Sequence, residues 1–580
     1  MKKNDLTELF IEDLSAEGFG IGHAQGMAVF VKDALPGDRI LARIVKEKKT
    51  YAYARLEKLI SQGPDRVCAR CPVARRCGGC QIQELSYPAQ LALKERKVRD
   101  NLIRIGGFRF GKETGSSVSG SPASDSGLVH DSKARPAENG FELEEGVLCP
   151  ILGMDDPWHY RNKAQFPIGE SKDGMIIAGF YAGRTHVIID HHQCLIGIEE
   201  NQQILECVIS WMQECGVSPY REETGKGTIR HVMTRAGFST GELMVVIVAA
   251  SSELKDEKRL VEKLLALPSG SGFRYQIRSI VLNVNRERTN VILGRESRVL
   301  YGKDFIEDRI GSLAYRISSR SFYQVNPVQT AVLYQTALEY AGLTGTETVW
   351  DLYCGTGTIS LFLAQKAGRV YGVEVIPEAV ENARQNAAIN QIDNCEFIAG
   401  KAEELAPELP PADVIVVDPP SKGLDRTVTE TILRAGPDRI VYVSCDSATL
   451  ARDLALFVQG GYRVQKVQPV DQFCHTIHVE TVCLLSQRKP DTTIEVDLDI
   501  SELEVSSAET KATYEEIKSY VLKKFGLKVS NLYIAQVKRE CGIVERINYN
   551  LPKTEGNRVP QCPEDKRKAI KDAFIHFQMI

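Results

Sequence analysis

"ETVWDLYCGTGTISL", residues 347–361, passes from an apolar β-type run through a turn holding Gly355 and Gly357 into a helix-type segment. Small residues in such a turn let the backbone approach a ligand, and the N-terminus of the following helix faces it. The next apolar run, "GRVYGVEV" (368–375), ends near Glu374, 23 residues after Asp351. A carboxylate at that place can bind a ribose diol. The loop alone suits a dinucleotide as well as S-adenosylmethionine. Further runs of the same kind, "CEFIAGKAEE", "ADVIVVDPP" and "DRIVYVSC", alternate with helix-type segments such as "PEAVENARQNAAIN", and "YRVQKVQPVD" and "VETVCLLSQ" complete the set. That rhythm predicts a parallel, doubly wound sheet.

The fourth strand separates the two cofactors. "ADVIVVDPPSKGLD" (412–425) ends in Asp418-Pro419-Pro420, a rigid turn that projects a carboxylate over the sheet edge. An acid followed by two prolines there is typical of methyltransferases acting on bases and not of dehydrogenases. The fifth run, "RIVYVSCDSATLARD" (439–453), sets Cys445 at the carboxyl end of a strand, where ligands collect in such sheets. By position alone that thiol is a buried small hydrophobe, a metal ligand or a nucleophile.

Composition bounds the rest. The chain has 580 residues, 26% charged and 43% hydrophobic, with a net charge of -4. These values suit a multidomain globular protein and give no global signature of nucleic-acid binding. No apolar run approaches a membrane span, and "MKKNDLTELFIEDL" carries acids within its apolar stretch, so it does not read as a signal peptide. We expect a cytoplasmic monomer with no membrane partner. Its fifteen cysteines should then be mostly reduced. Residues 61–105 carry nine Lys or Arg against four acids, a local excess suited to phosphate contact.

Toward the amino terminus, residues 1–62 alternate apolar and polar positions with turns at Gly26 and Pro36-Gly37, which predicts a small β-barrel. "GFGIGHAQGMAVFVKDALPGD" (18–38) resembles a TRAM domain, an OB-like RNA-binding barrel. Next, "CARCPVARRCGGC" gives Cys68-x2-Cys71-x5-Cys77-x2-Cys80, a metal-type spacing that tetrahedral zinc would satisfy. A basic amphipathic helix is expected near 89–105 and a flexible Ser- and Gly-rich insertion at about 109–145. Residues 63–318 form a central mixed α/β domain on this reading, 319–489 the catalytic domain, and 490–580 an acidic linker with a small, mostly helical module of no assigned role.

"SFYQVNP" (321–327), "DLYCGTGT" (351–358), "DPPSKGLD" (418–425), "YVSCDSATLARD" (442–453) and "HTIHVETV" (475–482) resemble, in order, the motifs of the RNA uracil-5-methyltransferase family. The resemblance covers roughly residues 5–488. It implies a class I, Rossmann-like methyltransferase domain, with Cys445 as nucleophile and Glu480 as base. Gln324, Tyr353, Glu374 and Asp418 match positions that bind S-adenosylmethionine, and Phe322 matches an aromatic near the target base. In the cysteine stretch the family pattern implies a [4Fe–4S] cluster on Cys71, Cys77, Cys80 and Cys194, the last from "DHHQCLIG", with Cys68 a bystander and zinc the alternative. Ser447 and Ser421 depart from the pattern, standing where proline and arginine are common.

The chemistry explains the thiol. C5 of uracil is too weak a nucleophile to take a methyl group directly, whereas a thiolate added at C6 turns the ring into an enolate that can. A base must then remove the C5 proton. His475 and His478 are candidates to tune Glu480. Family members with both a TRAM domain and the cysteines point to 23S ribosomal RNA as substrate, presented as a loop from which the uridine is extruded. The alternatives are a tRNA T-loop, a cytosine-5-methyltransferase (weakened by Ser421, where that class keeps its cysteine), a dehydrogenase, and a non-catalytic RNA-binding ribosome-assembly factor.

Overall fold

The computed structural model describes residues 1–111, 140–183, 185–269, 272–488, 514–541 and 562–577. Its contacts divide the chain into two units, Met1–Asp491 and Thr492–Ile580. The expected insertion lies mostly on 112–139, and the acidic linker wholly, outside the described residues. The insertion's two ends, Phe108–Phe110 and Phe141–Leu143, pair as short parallel strands.

The catalytic sheet has seven strands. From one edge they run Cys395–Ala399, Arg369–Glu374, Thr348–Leu352, Val414–Val417, Arg439–Ser444, Glu480–Gln487 and Tyr462–Val470. The first five are mutually parallel, and Glu480–Gln487 is antiparallel to both its neighbours. Every residue of Val414–Val417 is buried, as a strand covered by helices on both faces requires. Strand order reverses between Thr348–Leu352 and Val414–Val417, and the crevice outside their carboxyl ends is where such sheets bind ligands.

Residues 6–61 form a six-stranded sheet around Leu9, Val29, Val31, Ile40 and Ile44. A second seven-stranded sheet, from Lys163–Glu170 to Glu296–Gly302 with Ile176–Tyr181 and Ile188–Asp190 at its edge, packs against helices Glu200–Cys215 and Glu257–Ala266. The hairpin Phe305–Ile310/Leu313–Ser318 follows. Its Ile306, Tyr315 and Ile317 share one core with Met244 and Val246 of that sheet and with Val349 and Val416 of the catalytic sheet. In the second unit, helices Tyr514–Phe525, Asn531–Glu540 and Glu564–His576 enclose Ile517, Val521, Ile534, Val537, Ile570 and Phe574.

The basic helix spans Tyr87–Arg104 and buries Gln90, Lys94, Val98 and Leu102, one per turn. Two of the nine basic residues counted toward phosphate contact are therefore inside the protein. Lys94 Nζ meets Asp471 Oδ1 at 2.5 Å, both side chains essentially buried, and also donates to the Phe473 carbonyl at 2.9 Å. Arg66 is held by Asp38 and Glu84 at 2.8 and 2.7 Å. Removing one partner of a buried pair strands the other charge, which costs about 3–5 kcal/mol, whereas an exposed pair is worth about 0–1 kcal/mol. In chemical denaturation, Lys94→Met should therefore lose several kcal/mol of stability, while Arg96→Ala, which breaks the exposed pair with Asp13, should stay within about 1 kcal/mol of the parent.

Candidate active site

The cofactor loop leaves Leu352 and turns sharply. Tyr353, Gly355 and Gly357 all adopt left-handed backbone, with φ of 69°, 55° and 78°. A Cβ on Gly357 would stand 2.9 Å from the Phe397 ring, so this position admits only glycine. Glu374 fixes the loop from the adjacent strand end, where its carboxylate accepts from the backbone N–H of Gly355 at 3.1 Å and of Ile376 at 2.9 Å. Thr356 Oγ1 donates to the Phe322 carbonyl at 3.4 Å, which brings the "SFYQVNP" segment against the loop. There Phe322 is 67% exposed and free to meet a ligand, while Gln324 is buried. The open, carboxylate-bearing loop and its backbone strain fit a nucleoside cofactor.

Cys445 follows the strand Arg439–Ser444 directly. Ser444 pairs with Thr481 in the antiparallel register, and continuing that register by one residue sets Cys445 opposite Glu480. Asp446 caps the next helix, accepting from the N–H groups of Ala448 and Thr449. Ser447 is buried and accepts from Asn101 Nδ2 at 2.8 Å, so the departure from proline serves to tie this helix to Tyr87–Arg104.

Three carboxyls act on the thiol, Glu480 buried and Asp418 and Asp446 half-buried. Burial pushes Asp418 up to about 7. Burial, and then Asp418, push Glu480 up to about 8. Burial followed by Glu480, Asp418 and Asp446 pushes the Cys445 thiol up to about 12. Asp351, which sequence reasoning passed over as a site residue, belongs to the same array. It accepts from Ser360 Oγ at 2.5 Å and is raised to about 7, first by burial and also by Asp418 and Glu374. The acid at the end of the first strand was the available signal. His475 stacks on Trp158 with ring centroids 3.9 Å apart and contacts Gln90, and the groups that raise Glu480 are its burial and Asp418.

Around the cysteine loop, Cys80 is pushed up to about 12 by burial and then by Cys194, Cys77 and Cys71. Cys194 is raised by burial and then by Cys77 and Cys71. These four thiols are thus mutual neighbours, while Cys68 is exposed. Among the described residues, however, no three His, Cys, Asp or Glu side chains stand close enough to hold a metal ion. Two of the sulfurs face protein groups instead: Cys71 Sγ lies 3.7 Å from His191 Nε2, and Cys77 Sγ accepts from the Gly79 N–H. A cavity of about 530 Å³ lies beside this loop, lined by Phe19, Lys32, Arg75, Gly78 and Tyr181, away from the catalytic strand ends.

Sheet order, glycine loop and strand-end acids define an S-adenosylmethionine-dependent methyltransferase. Residues 343–469 match the model of a methyltransferase domain, and residues 6–56 match that of the TRAM domain. The chain is 47% identical over 490 residues to an uncharacterized RNA methyltransferase of Halalkalibacterium halodurans, covering 84% of this chain and 98% of that protein. It is 43% identical over 490 residues to one of Clostridium tetani, covering 84% and 97%. Among solved structures, Pyrococcus abyssi tRNA (uracil-54, C5)-methyltransferase in complex with S-adenosyl-L-homocysteine matches with a TM-score of 0.62 and 26% identity, over 83% of this chain and 100% of that one. The chain belongs to the RNA methyltransferase family. Among the described residues no helix is long and apolar enough to cross a membrane.

Proposed function

We propose that this enzyme methylates C5 of uridine in 23S ribosomal RNA, with Cys445 as nucleophile and Glu480 as base. The observation that carries the proposal is the register that sets the thiol opposite a buried carboxyl. S-adenosylmethionine supplies an electrophilic methyl group, and Gln324, Tyr353, Glu374 and Asp418 are the residues assigned to hold it. The Cys445 thiol gives its proton to water as its sulfur adds to C6 of the uracil. The electron pair of the C5–C6 double bond makes C5 the nucleophile for the methyl group, whose bond to the sulfonium breaks with its electrons staying on sulfur, so that S-adenosylhomocysteine is the leaving group. Glu480 takes the C5 proton, the C6–S bond breaks with its electrons returning to sulfur, and the thiol regains a proton. Covalent catalysis of this kind splits one difficult step into easier ones. Phe322, exposed to solvent, is assigned to stack on the extruded base.

The proton balance has a signed consequence. Glu480 is raised, so its base form accumulates only as pH climbs through about 8. Single-turnover methylation should increase with pH across that range. Cys445→Ala should form neither product nor covalent RNA adduct while still binding S-adenosylhomocysteine. Glu480→Gln should form the adduct but lose product formation by roughly 10²- to 10⁴-fold. Normal methylation by the alanine variant would end the proposal.

The pairing of a TRAM module with the cysteine loop supports 23S rRNA. The likeness to the Pyrococcus abyssi tRNA enzyme favours the tRNA T-loop as a second reading. Mass-spectrometric mapping of 5-methyluridine in rRNA and tRNA from cells with and without this gene decides between them, with loss from 23S rRNA alone as the expected result.

We infer a [4Fe–4S] cluster on Cys71, Cys77, Cys80 and Cys194 from the thiolate donor set and the family resemblance alone, since among the described residues the sulfurs are not gathered into a metal site. Methyl transfer from a sulfonium needs no electrons, so its role here is to hold the loop. Anaerobically prepared protein should be brown and contain iron and sulfide in equal amounts. Cys71→Ser should lose that colour and Cys68→Ser keep it. A colourless protein with stoichiometric zinc would overturn the assignment.

A further inference from the structure

We propose that Arg161, Lys163 and Arg235 form a subsite for an RNA phosphate beside the target-base pocket, an inference that rests on the RNA-methylating reading of the site. Lys163 and Arg235 are direct partners in adjacent antiparallel strands, so two cations face each other on one side of the sheet. Like charges placed directly opposite are destabilising unless something answers them. Arg235 is only 4% exposed, and its side chain donates from a terminal nitrogen to the Ser321 carbonyl at 2.6 Å, leaving its buried Nε without a partner among the described residues. Arg161 completes the group by donating from Nε to the Lys163 carbonyl at 3.1 Å.

No carboxylate answers this charge among the described residues. The contrast lies within the same protein. Buried Arg66 has Asp38 and Glu84, and buried Lys94 has Asp471. Buried Arg230 has two carbonyls and the Tyr220 ring. In keeping with this geometry, the Lys163 ammonium is pushed down to about 8 by burial and then by Arg235 and Arg161, with no anion offsetting them. A group of cations held against its own repulsion awaits an anionic ligand.

Position identifies that ligand. Asn162, between Arg161 and Lys163, donates its backbone N–H to Val325 at 2.8 Å and its side-chain amide to Gln324 at 2.9 Å. Arg235 grips Ser321. The cations are therefore stitched to residues 321–325, the segment that presents exposed Phe322. An extruded uridine seated near Phe322 brings its own phosphodiester to that segment, and guanidinium forks suit phosphate oxygens.

The test uses the full chain. Lys163→Gln and Arg161→Gln, on half-buried side chains, are measured beside the buried Arg235→Gln. Affinity for a uridine-bearing RNA loop is followed across a salt series, together with S-adenosylhomocysteine affinity and thermal stability without RNA. Each variant should weaken RNA binding by roughly 10-fold, the scale of one charged hydrogen bond. Each should also flatten the log–log salt dependence by about 0.7, the slope of one single-strand phosphate contact. S-adenosylhomocysteine binding should not change, and Lys163→Gln should melt no lower than the parent because a repulsion is gone. Unchanged RNA affinity and slope would overturn the subsite. So would a loss falling on S-adenosylhomocysteine, which would assign the cations to the cofactor carboxylate. The parent's covalent RNA adduct, followed in parallel, reports on the uridine mechanism separately, since phosphate binding is read without turnover.

Discussion

The antiparallel pairing of Glu480–Gln487 with Arg439–Ser444 is the constraint on which the rest of the active site depends. The five parallel strands deliver their chemistry at their carboxyl ends, where Leu352, Glu374, Val417 and Ser444 stop. A sixth parallel strand would present its own carboxyl end there and carry its first residue to the far side of the sheet. Reversing the strand brings a residue at its start, Glu480, to the nucleophile. Side chains alternate along a strand, so a slip of one residue would turn Glu480 to the opposite face. Register here is a catalytic parameter.

What fixes that register lies mostly elsewhere in the chain. The approach to Glu480 begins at Asp471, which is clasped by Lys94 and by the Tyr87 hydroxyl at 2.9 Å. Gln472 donates to Thr330, and its carbonyl accepts from Asn326, the cap of helix Pro327–Ala341. The carbonyl of His475 accepts from the N–H groups of both Gln81 and Ile82, immediately after Cys80. The cysteine loop and the basic helix thus buttress the segment that positions the base. A buried ion pair contributes little net stability, yet it penalises any arrangement that separates its members. That suits a segment whose placement matters more than its contribution to folding.

These contacts mark the limit of what a sequence shows. Strand–helix alternation, the glycine loop and the Asp418-Pro-Pro turn are local patterns, and they identify the sheet and its ligand edge. The helix at 87–104 is legible from its period, but the fate of Lys94 is not, because its partner lies 377 residues away. Counting Lys94 and Arg66 as solvent-facing charge overstated the basic surface for the same reason. Cys71, Cys77 and Cys80 are near one another by spacing, whereas Cys194 joins them only through the fold and, at the sequence level, through family resemblance. The Lys163–Arg235 juxtaposition leaves no local trace, since strand pairing between distant segments creates it. Asn326 caps the helix that begins at Pro327 and also grips Gln472, and neither role was read from the sequence.

Charge is distributed in a way that reconciles a reactive thiol with a stable resting protein. Asp351 and Glu480 are buried and Asp418 is half-buried; Asp418 presses on the other two, and Glu480 and Asp418 press on Cys445. An isolated thiolate in that surrounding would add another negative charge to a poorly solvated cluster, so Cys445, the proposed nucleophile, is biased toward its thiol form. The Arg161, Lys163 and Arg235 group is tied to residues 321–325, and among the described residues no carboxylate answers its charge. On the proposed mechanism, RNA brings the missing anion to the cations, and its uracil gives the sulfur's charge a delocalised destination on the ring. Each half of the proposed site is then electrostatically incomplete until RNA is bound, and the proposed chemistry is confined to the bound state by the same imbalance.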